Sequence, residues 1–127
     1  MREIKFRAWD ADEKEMVSHW QLVNDPDDWF RSFFDGTAED GDVLMQFTEV
    51  YDRDGEAVYE GDCLVCTVND EPIGEIDRVQ FKDGEFRLAN RDRSLRSWLY
   101  IEELYGKEVE CNFYLAGNIY EHPDLLK

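Results

Sequence analysis

Asp62-Cys63-Leu64-Val65-Cys66-Thr67-Val68 has Cys63, Val65 and Thr67 opposite Leu64, Cys66 and Val68. A run apolar on both faces reads as a central strand, covered on each side. Downstream, Glu75–Phe81 and Glu85–Ala89 flank Lys82-Asp83-Gly84. Asp-Gly between alternating strands is a strong hairpin signal, because a two-residue turn of this kind needs positive φ at both positions. Outward from this centre, Leu44–Thr48 reads as a strand, Asp54-Gly55 as a turn, Asn69–Gly74 as a break and Cys111–Tyr120 as a last strand before Pro123.

Two further patterns frame the β-rich stretch. Residues 3–9 alternate, with Ile4, Phe6 and Ala8 against Lys5, Arg7 and Trp9, and Met16-Val17-Ser18 returns after a polar turn, which predicts an N-terminal hairpin. From Asn24, Asp25 can cap a helix, Pro26 suits its first position, Asp27 and Asp28 favour the positive end of the dipole, and Gly36 can end it. A helix over 26–35 follows. A second is predicted over Ser97–Tyr105, with Trp98, Leu99, Ile101, Glu102, Leu104 and Tyr105, and Gly106 as its cap.

The expected fold is mainly β with two short helices (α+β), a compact barrel-like or rolled antiparallel sheet. It forms a single domain over 1–127: an N-terminal hairpin at 1–18, an acidic aromatic helical insert at 19–42, and a β-rich core at 43–127. A chain of 127 residues suits one core, and its eight Phe, six Tyr and four Trp supply more apolar surface than a disordered acidic tail carries.

Charge narrows the function. Asp plus Glu number 31 and Lys plus Arg 14, an excess of 31 − 14 = 17 negative charges. That field opposes direct binding to nucleic acid and to anionic membranes and allows a basic protein partner. Acidity also keeps a protein soluble, which is the plainer reading of the same number. Three cysteines, no apolar leader in MREIKFRAWD and no long apolar run point to a cytoplasmic protein of a reducing compartment.

No pattern of catalytic or metal-binding residues emerges. Cys63 and Cys66 are three apart on a strand, so their sulfurs diverge, and a second pair to complete a zinc site is missing. Aligning Gly55 with the glycine of a calcium loop puts Val50 at the first ligand position and Gly61 where the bidentate Glu belongs, so that reading fails. Two histidines, His19 and His122, form no local constellation with a nucleophile, and neither a Walker A loop nor G-x-G-x-x-G is present. The expectation is a non-enzyme with no cofactor and no metal.

Two clusters carry what functional signal there is. Asp25, Asp27, Asp28, Asp35, Glu39, Asp40 and Asp42 surround Trp29, Phe30, Phe33 and Phe34. Aromatic anchors ringed by charge suit a protein interface; the competing reading is a helix that packs its aromatics into its own core. Arg87, Arg91, Arg93 and Arg96 form a basic island, a candidate contact between subunits, favoured over a phosphate contact because the global charge opposes nucleic acid; the plainer reading is a solvated loop or internal ion pairs.

Three separated segments resemble a known family. They are Arg2-Glu3-Ile4-Lys5-Phe6-Arg7-Ala8-Trp9-Asp10, then Leu44-Met45-Gln46-Phe47-Thr48 leading to Asp54-Gly55-Glu56-Ala57-Val58-Tyr59-Glu60-Gly61-Asp62, and finally Gly117-Asn118-Ile119-Tyr120-Glu121-His122-Pro123-Asp124-Leu125-Leu126. In this order they resemble the YopX-like family of phage and prophage proteins. The resemblance implies a phage-encoded, oligomeric protein and brings no catalytic residues with it. It is weakest over 19–42, the acidic aromatic insert. Read on their own, Gly55, Gly61, Asp54, Asp62, Tyr59 and Tyr120 are fold-making residues of turns and core. Together these readings predict an accessory protein that binds another protein, a basic host protein among the candidates, as a homo-oligomer; the alternative is an acidic DNA mimic that inhibits a host defence enzyme.

Overall fold

The computed structural model describes residues 4–91, 93–99 and 110–126. Two antiparallel sheets, each curled into a half-barrel, make up the protein. In the first, β1 (Phe6–Asp10) is flanked by β2 (Glu15–Val17) and β3 (Val43–Tyr51), and β4 (Ala57–Tyr59) pairs with β3. The alternation that predicts the N-terminal hairpin is realised with Ala8 opposite Val17 on one side and Leu44 on the other, and Ala8 fully buried.

The second sheet is built on β5 (Asp62–Val68), with the bounds its sequence predicts. Short β6 (Glu71–Pro72) and the start of β7 (Asp77–Lys82) pair with one edge of it. β10 (Cys111–Asn118) pairs with the other edge along its whole length. Beyond β7 lie β8 (Glu85–Leu88) and β9 (Arg93–Ser94). The predicted hairpin joins β7 to β8, with Asp83 at φ 55° and Gly84 at φ 83°, the paired positive angles its two-residue turn requires. Val58, Leu64, Cys66, Val79, Leu88, Leu95, Trp98 and Phe113 form the core.

The class is mainly β, as expected, but the described residues hold three short helices. The insert has two where one is predicted: α1 (His19–Val23) and α2 (Trp29–Asp35). Ser18 and Gln21 form a reciprocal capping box on α1, the S-x-x-Q signal that announces a helix start. α2 begins later than predicted because the Asp25 carboxylate accepts from the backbone N–H of Asp27 and Trp29 at 3.1 Å each, holding Pro26 and Asp27 in a turn. α3 spans Leu95–Leu99, and its Trp98 indole donates to the Asn112 carbonyl at 2.7 Å. The rest of the helix predicted over 97–105, with its cap at Gly106, lies outside the described residues.

Three buried aspartates tie the elements together. Asp62 joins the sheets: its carboxylate meets Arg7 of β1 at 2.7 Å and accepts from the Tyr59 N–H at 2.7 Å, while the Arg7 guanidinium lies 4.8 Å from the centre of the Tyr59 ring. Asp52 accepts from the N–H groups of Asp54 and Glu56 in the β3–β4 turn and, with its other oxygen, from Leu115 of β10, all at 2.9 Å. Beside it the Arg53 N–H donates to the Phe113 carbonyl at 3.0 Å. Asp77 accepts from the Asn90 N–H at 2.6 Å and pairs with Arg91 at 2.9 Å.

Burial raises the Asp62 pKa, opposed by Arg7 and the Tyr59 N–H. A folded-state pKa above the unfolded value makes this carboxyl's contribution greatest in acid, and it is lost as pH rises through the folded value. Replacing Arg7 with Met strands the anion at neutral pH. Arg7→Met is expected to cost about 3–5 kcal/mol at pH 7, and the loss to shrink as pH falls and Asp62 protonates. Urea unfolding at several pH values checks this; a pH-independent loss would contradict it.

Glycine geometry gives a second prediction. Gly61 has φ 88°, and a Cβ there would sit 3.1 Å from the Met45 sulfur and 3.2 Å from the Tyr120 ring; Gly55 has φ 85° with nothing within 4 Å. Alanine at Gly55 is expected to cost about 1 kcal/mol for the left-handed backbone alone. At Gly61 the cost rises to roughly 2–4 kcal/mol as steric overpacking adds to it. Equal losses in chemical denaturation would show that the contact with Met45 and Tyr120 is readily relieved.

Candidate functional site

The β1–β2 turn and the helical insert meet at one corner. Asp10 accepts from the N–H groups of Asp12 and Glu13 at 3.1 Å each, shaping the turn. Asp42, at the far end of the insert, accepts from the Ala11 N–H at 2.9 Å and brings the acidic loop against it. Asp10, Asp12, Glu13, Glu39 and Asp42, with Trp29, line a recess of about 310 Å³. A neighbouring recess of about 530 Å³ is lined by Asp10, Val17, Trp20, Asp25, Asp27 and Trp29 among others. Asp10 and Trp29 belong to both, and neither is lined by a lysine or arginine.

Crowding of like charge shows in the acidic recess. A hydrogen bond that protonated Glu39 donates to the Asp12 carboxylate, and then the charges of Asp12 and Asp42, raise the Glu39 pKa, because an acid resists ionisation beside existing anions. Asp35 sits apart and goes the other way, held below the usual range by hydrogen bonds from the Thr37 hydroxyl and N–H.

The aromatics of α2 divide between two clusters. Phe30 and Phe34 pack on each other at 5.2 Å between ring centres and on Phe6 of β1 at 5.5 and 6.4 Å. Trp29 packs on Phe33 at 5.2 Å. No residue of α2 is fully buried, and Phe34 is 66% exposed. On α1, Trp20 is 72% exposed and Val23 51%.

The predicted acidic and aromatic residues are therefore partly gathered. Asp25, Asp27, Trp29, Glu39 and Asp42 line the recesses. Phe30, Phe33 and Phe34 lie on the helix beside them, and Asp28 and Asp40 are exposed at turns. Asp28 has φ 53° and makes no side-chain cap bond to α2. Sequence reasoning missed Asp10, Asp12, Glu13 and Trp20. The Ser18–Gln21 capping box marks the helix that presents Trp20, but only the pairing of β1 with β3 brings the turn acids to Asp42.

The arginines are dispersed. Arg91 pairs with Asp77, donates to the Ile73 carbonyl and stacks 4.7 Å from the Trp98 ring centre. Arg87 pairs with Glu85. Arg93 lies in β9, half-buried, and Arg96 is exposed with Glu49 at 4.0 Å. Arg96 borders a cleft of about 730 Å³ between β3 and the β7–β8 hairpin, with Phe81 and Phe86.

Remaining reactive groups have structural surroundings. His19 Nδ1 accepts from the Phe6 N–H at 3.1 Å, and His122 Nδ1 from the Asn118 N–H at 3.3 Å. Cys63 and Cys66 are free thiols, and all three cysteines, Cys111 included, are buried. Burial raises the Cys63 pKa and pushes Cys66 up to about 11, keeping them as unreactive thiols near neutral pH. Among the described residues no cluster of His, Cys, Asp or Glu could hold a metal ion, and no helix is long and apolar enough to cross a membrane.

Two curled antiparallel sheets tied by buried aspartates, with an acidic helical insert at one corner, define a β protein of half-barrel architecture. The YopX protein family matches residues 5–127, and the chain belongs to that family. Its fold is similar to the crystal structure of protein EF1440 from Enterococcus faecalis, at 24% identity and a TM-score of 0.66 over 100% of each chain. It is also similar to the X-ray structure of yopX from Bacillus subtilis, at 17% identity and a TM-score of 0.59, over 97% of this chain and 98% of the other. No curated protein matches the sequence.

Asp12→Asn removes one charge next to Glu39 and is expected to lower the Glu39 pKa toward its ordinary value. Side-chain carboxyl NMR titration reads this directly. An unmoved Glu39 titration would show that Asp12 is not what raises it.

Proposed function

We propose that this is a non-enzymatic phage or prophage accessory protein that works in the host cytoplasm by binding another protein, as a homo-oligomer. The observation that carries the reading is Trp20, 72% exposed, and Phe34, 66% exposed, on an insert crowded with carboxylates. Large apolar side chains left in water on a folded scaffold gain from being covered, and surrounding charge steers a basic partner to them. The exposed Arg96 and Phe81 beside the inter-sheet cleft offer a separate surface for self-association.

A second reading is an acidic mimic of nucleic acid that occupies the basic cleft of a host defence enzyme. It is favoured by the excess of 17 negative charges and by two recesses lined without a cation. Duplex DNA carries one charge per ~1.7 Å, so the excess matches that on roughly eight base pairs.

Affinity capture from host lysate, at low and high salt, tests both, with light scattering for the mass of the protein alone. The accessory reading expects a salt-resistant partner lost in the Trp20→Ala, Phe34→Ala double variant, and a mass above the monomer. The mimic reading expects a basic nucleic-acid-handling protein recovered at low salt only. A monomer that captures nothing at either salt would defeat both.

A further inference from the structure

We infer that the recess between α1 and α2 is a receptor for an arginine side chain presented by a basic partner segment, an assignment that rests on the protein-binding role proposed above. Two indoles and three carboxylates carry it. Trp20 stands 72% exposed on α1, and Trp29, half-buried at the start of α2, lines the same recess of about 530 Å³. Asp10, Asp25 and Asp27 line it too, and no lysine or arginine does.

The chemistry of the lining selects the occupant. An indole face attracts cations through its quadrupole, more strongly than phenylalanine or tyrosine does. A guanidinium is planar, weakly hydrated and always charged, so it can stack on an indole while its N–H fork reaches carboxylates, which an ammonium cannot do as well. The walls are held in place before any ligand arrives. The Ser18–Gln21 capping box fixes α1, and the Asp25 carboxylate, bonded to the N–H groups of Asp27 and Trp29, fixes the entry to α2. That pre-organisation lowers the ordering cost of binding. Charge complementarity extends past the slot, because Asp10 and Trp29 also border the recess of Asp12, Glu13, Glu39 and Asp42. A basic residue next to the inserted arginine in the partner would face that second group of carboxylates.

The test uses the full chain with 15N-labelled tryptophan and three capped peptides, acetyl-Gly-Xaa-Gly-amide, in which Xaa is arginine, citrulline or lysine. Citrulline keeps the shape of arginine and removes its charge. The arginine peptide is expected to shift the indole N–H signals of Trp20 and Trp29 saturably and to leave those of Trp9 and Trp98 in place. The citrulline peptide is expected to give no saturable shift, and the lysine peptide to bind more weakly. Trp20→Ala should weaken arginine binding about ten-fold, the scale of one cation–π contact. Asp27→Asn, at an exposed turn position, keeps both indoles and should weaken it about two- to three-fold. Absent shifts, equal binding of the citrulline or lysine peptide, or unchanged affinity in Trp20→Ala would each overturn the assignment. If the peptides fail while the captured partner is still lost in the Trp20→Ala, Phe34→Ala variant, the arginine slot is wrong and the binding role stands. If the arginine peptide binds as expected but no partner is captured, the slot stands and the binding role falls.

Discussion

The ion pair between Arg7 and Asp62 is the joint on which the architecture turns. β1 belongs to the first half-barrel and β5 to the second, and the two charges meet at 2.7 Å with little water around either. Desolvating a carboxylate is expensive unless a cation and hydrogen bonds compensate it. Here Arg7 supplies the cation and the Tyr59 N–H the hydrogen bond. Gly61, immediately before Asp62, donates to the Val79 carbonyl and accepts from the Ile119 N–H. Tyr120 then stacks on Trp9 at 5.9 Å. Residues from the beginning, middle and end of the chain thus converge on one seam, and they come from the three segments by which the sequence resembles its family.

Negative charge is used in two ways. Asp52, Asp62 and Asp77 are buried, Asp52 held by three backbone N–H groups and Asp62 and Asp77 each by one backbone N–H and an arginine, so they take up main-chain donors that irregular connections would otherwise leave unmade. The carboxylates around Trp29 are at the surface, and those of the acidic recess are close enough to raise the pKa of one of their number. The same composition therefore yields a neutralised interior and an unneutralised corner. Arg91 follows the interior pattern, between Asp77 and the Trp98 ring.

How much of this could be read beforehand depends on how local the cause is. The β7–β8 hairpin and the bounds of β5 were legible because two adjacent residues dictate the turn and the two-faced apolar run dictates a central strand. α2 was legible as a helix but not in its start: Asp25 forms a turn over Pro26 that mimics a cap three residues too early. α1 was missed although Ser18 and Gln21 announce it, because five residues hold too little periodicity to stand out from a loop. The acidic recess was half visible. Glu39 and Asp42 stood out by composition, whereas Asp10, Asp12 and Glu13 are ordinary turn residues until strand pairing folds the turn onto the insert. The basic island was legible only as a cluster, since nothing local says that Arg91 turns inward to Asp77.

Asp52 has one more consequence. Among the described residues β10 is the outermost strand of its sheet, eight residues long, and an uncovered strand of that length is a template on which another chain can add itself. The Asp52 carboxylate takes the Leu115 N–H, and the Arg53 N–H takes the Phe113 carbonyl. The middle of that rim is thereby occupied by the protein's own turn. A second chain could add a strand along the middle of that margin only by displacing those two bonds, so one buried carboxylate that shapes a turn also guards the sheet against growth from molecule to molecule.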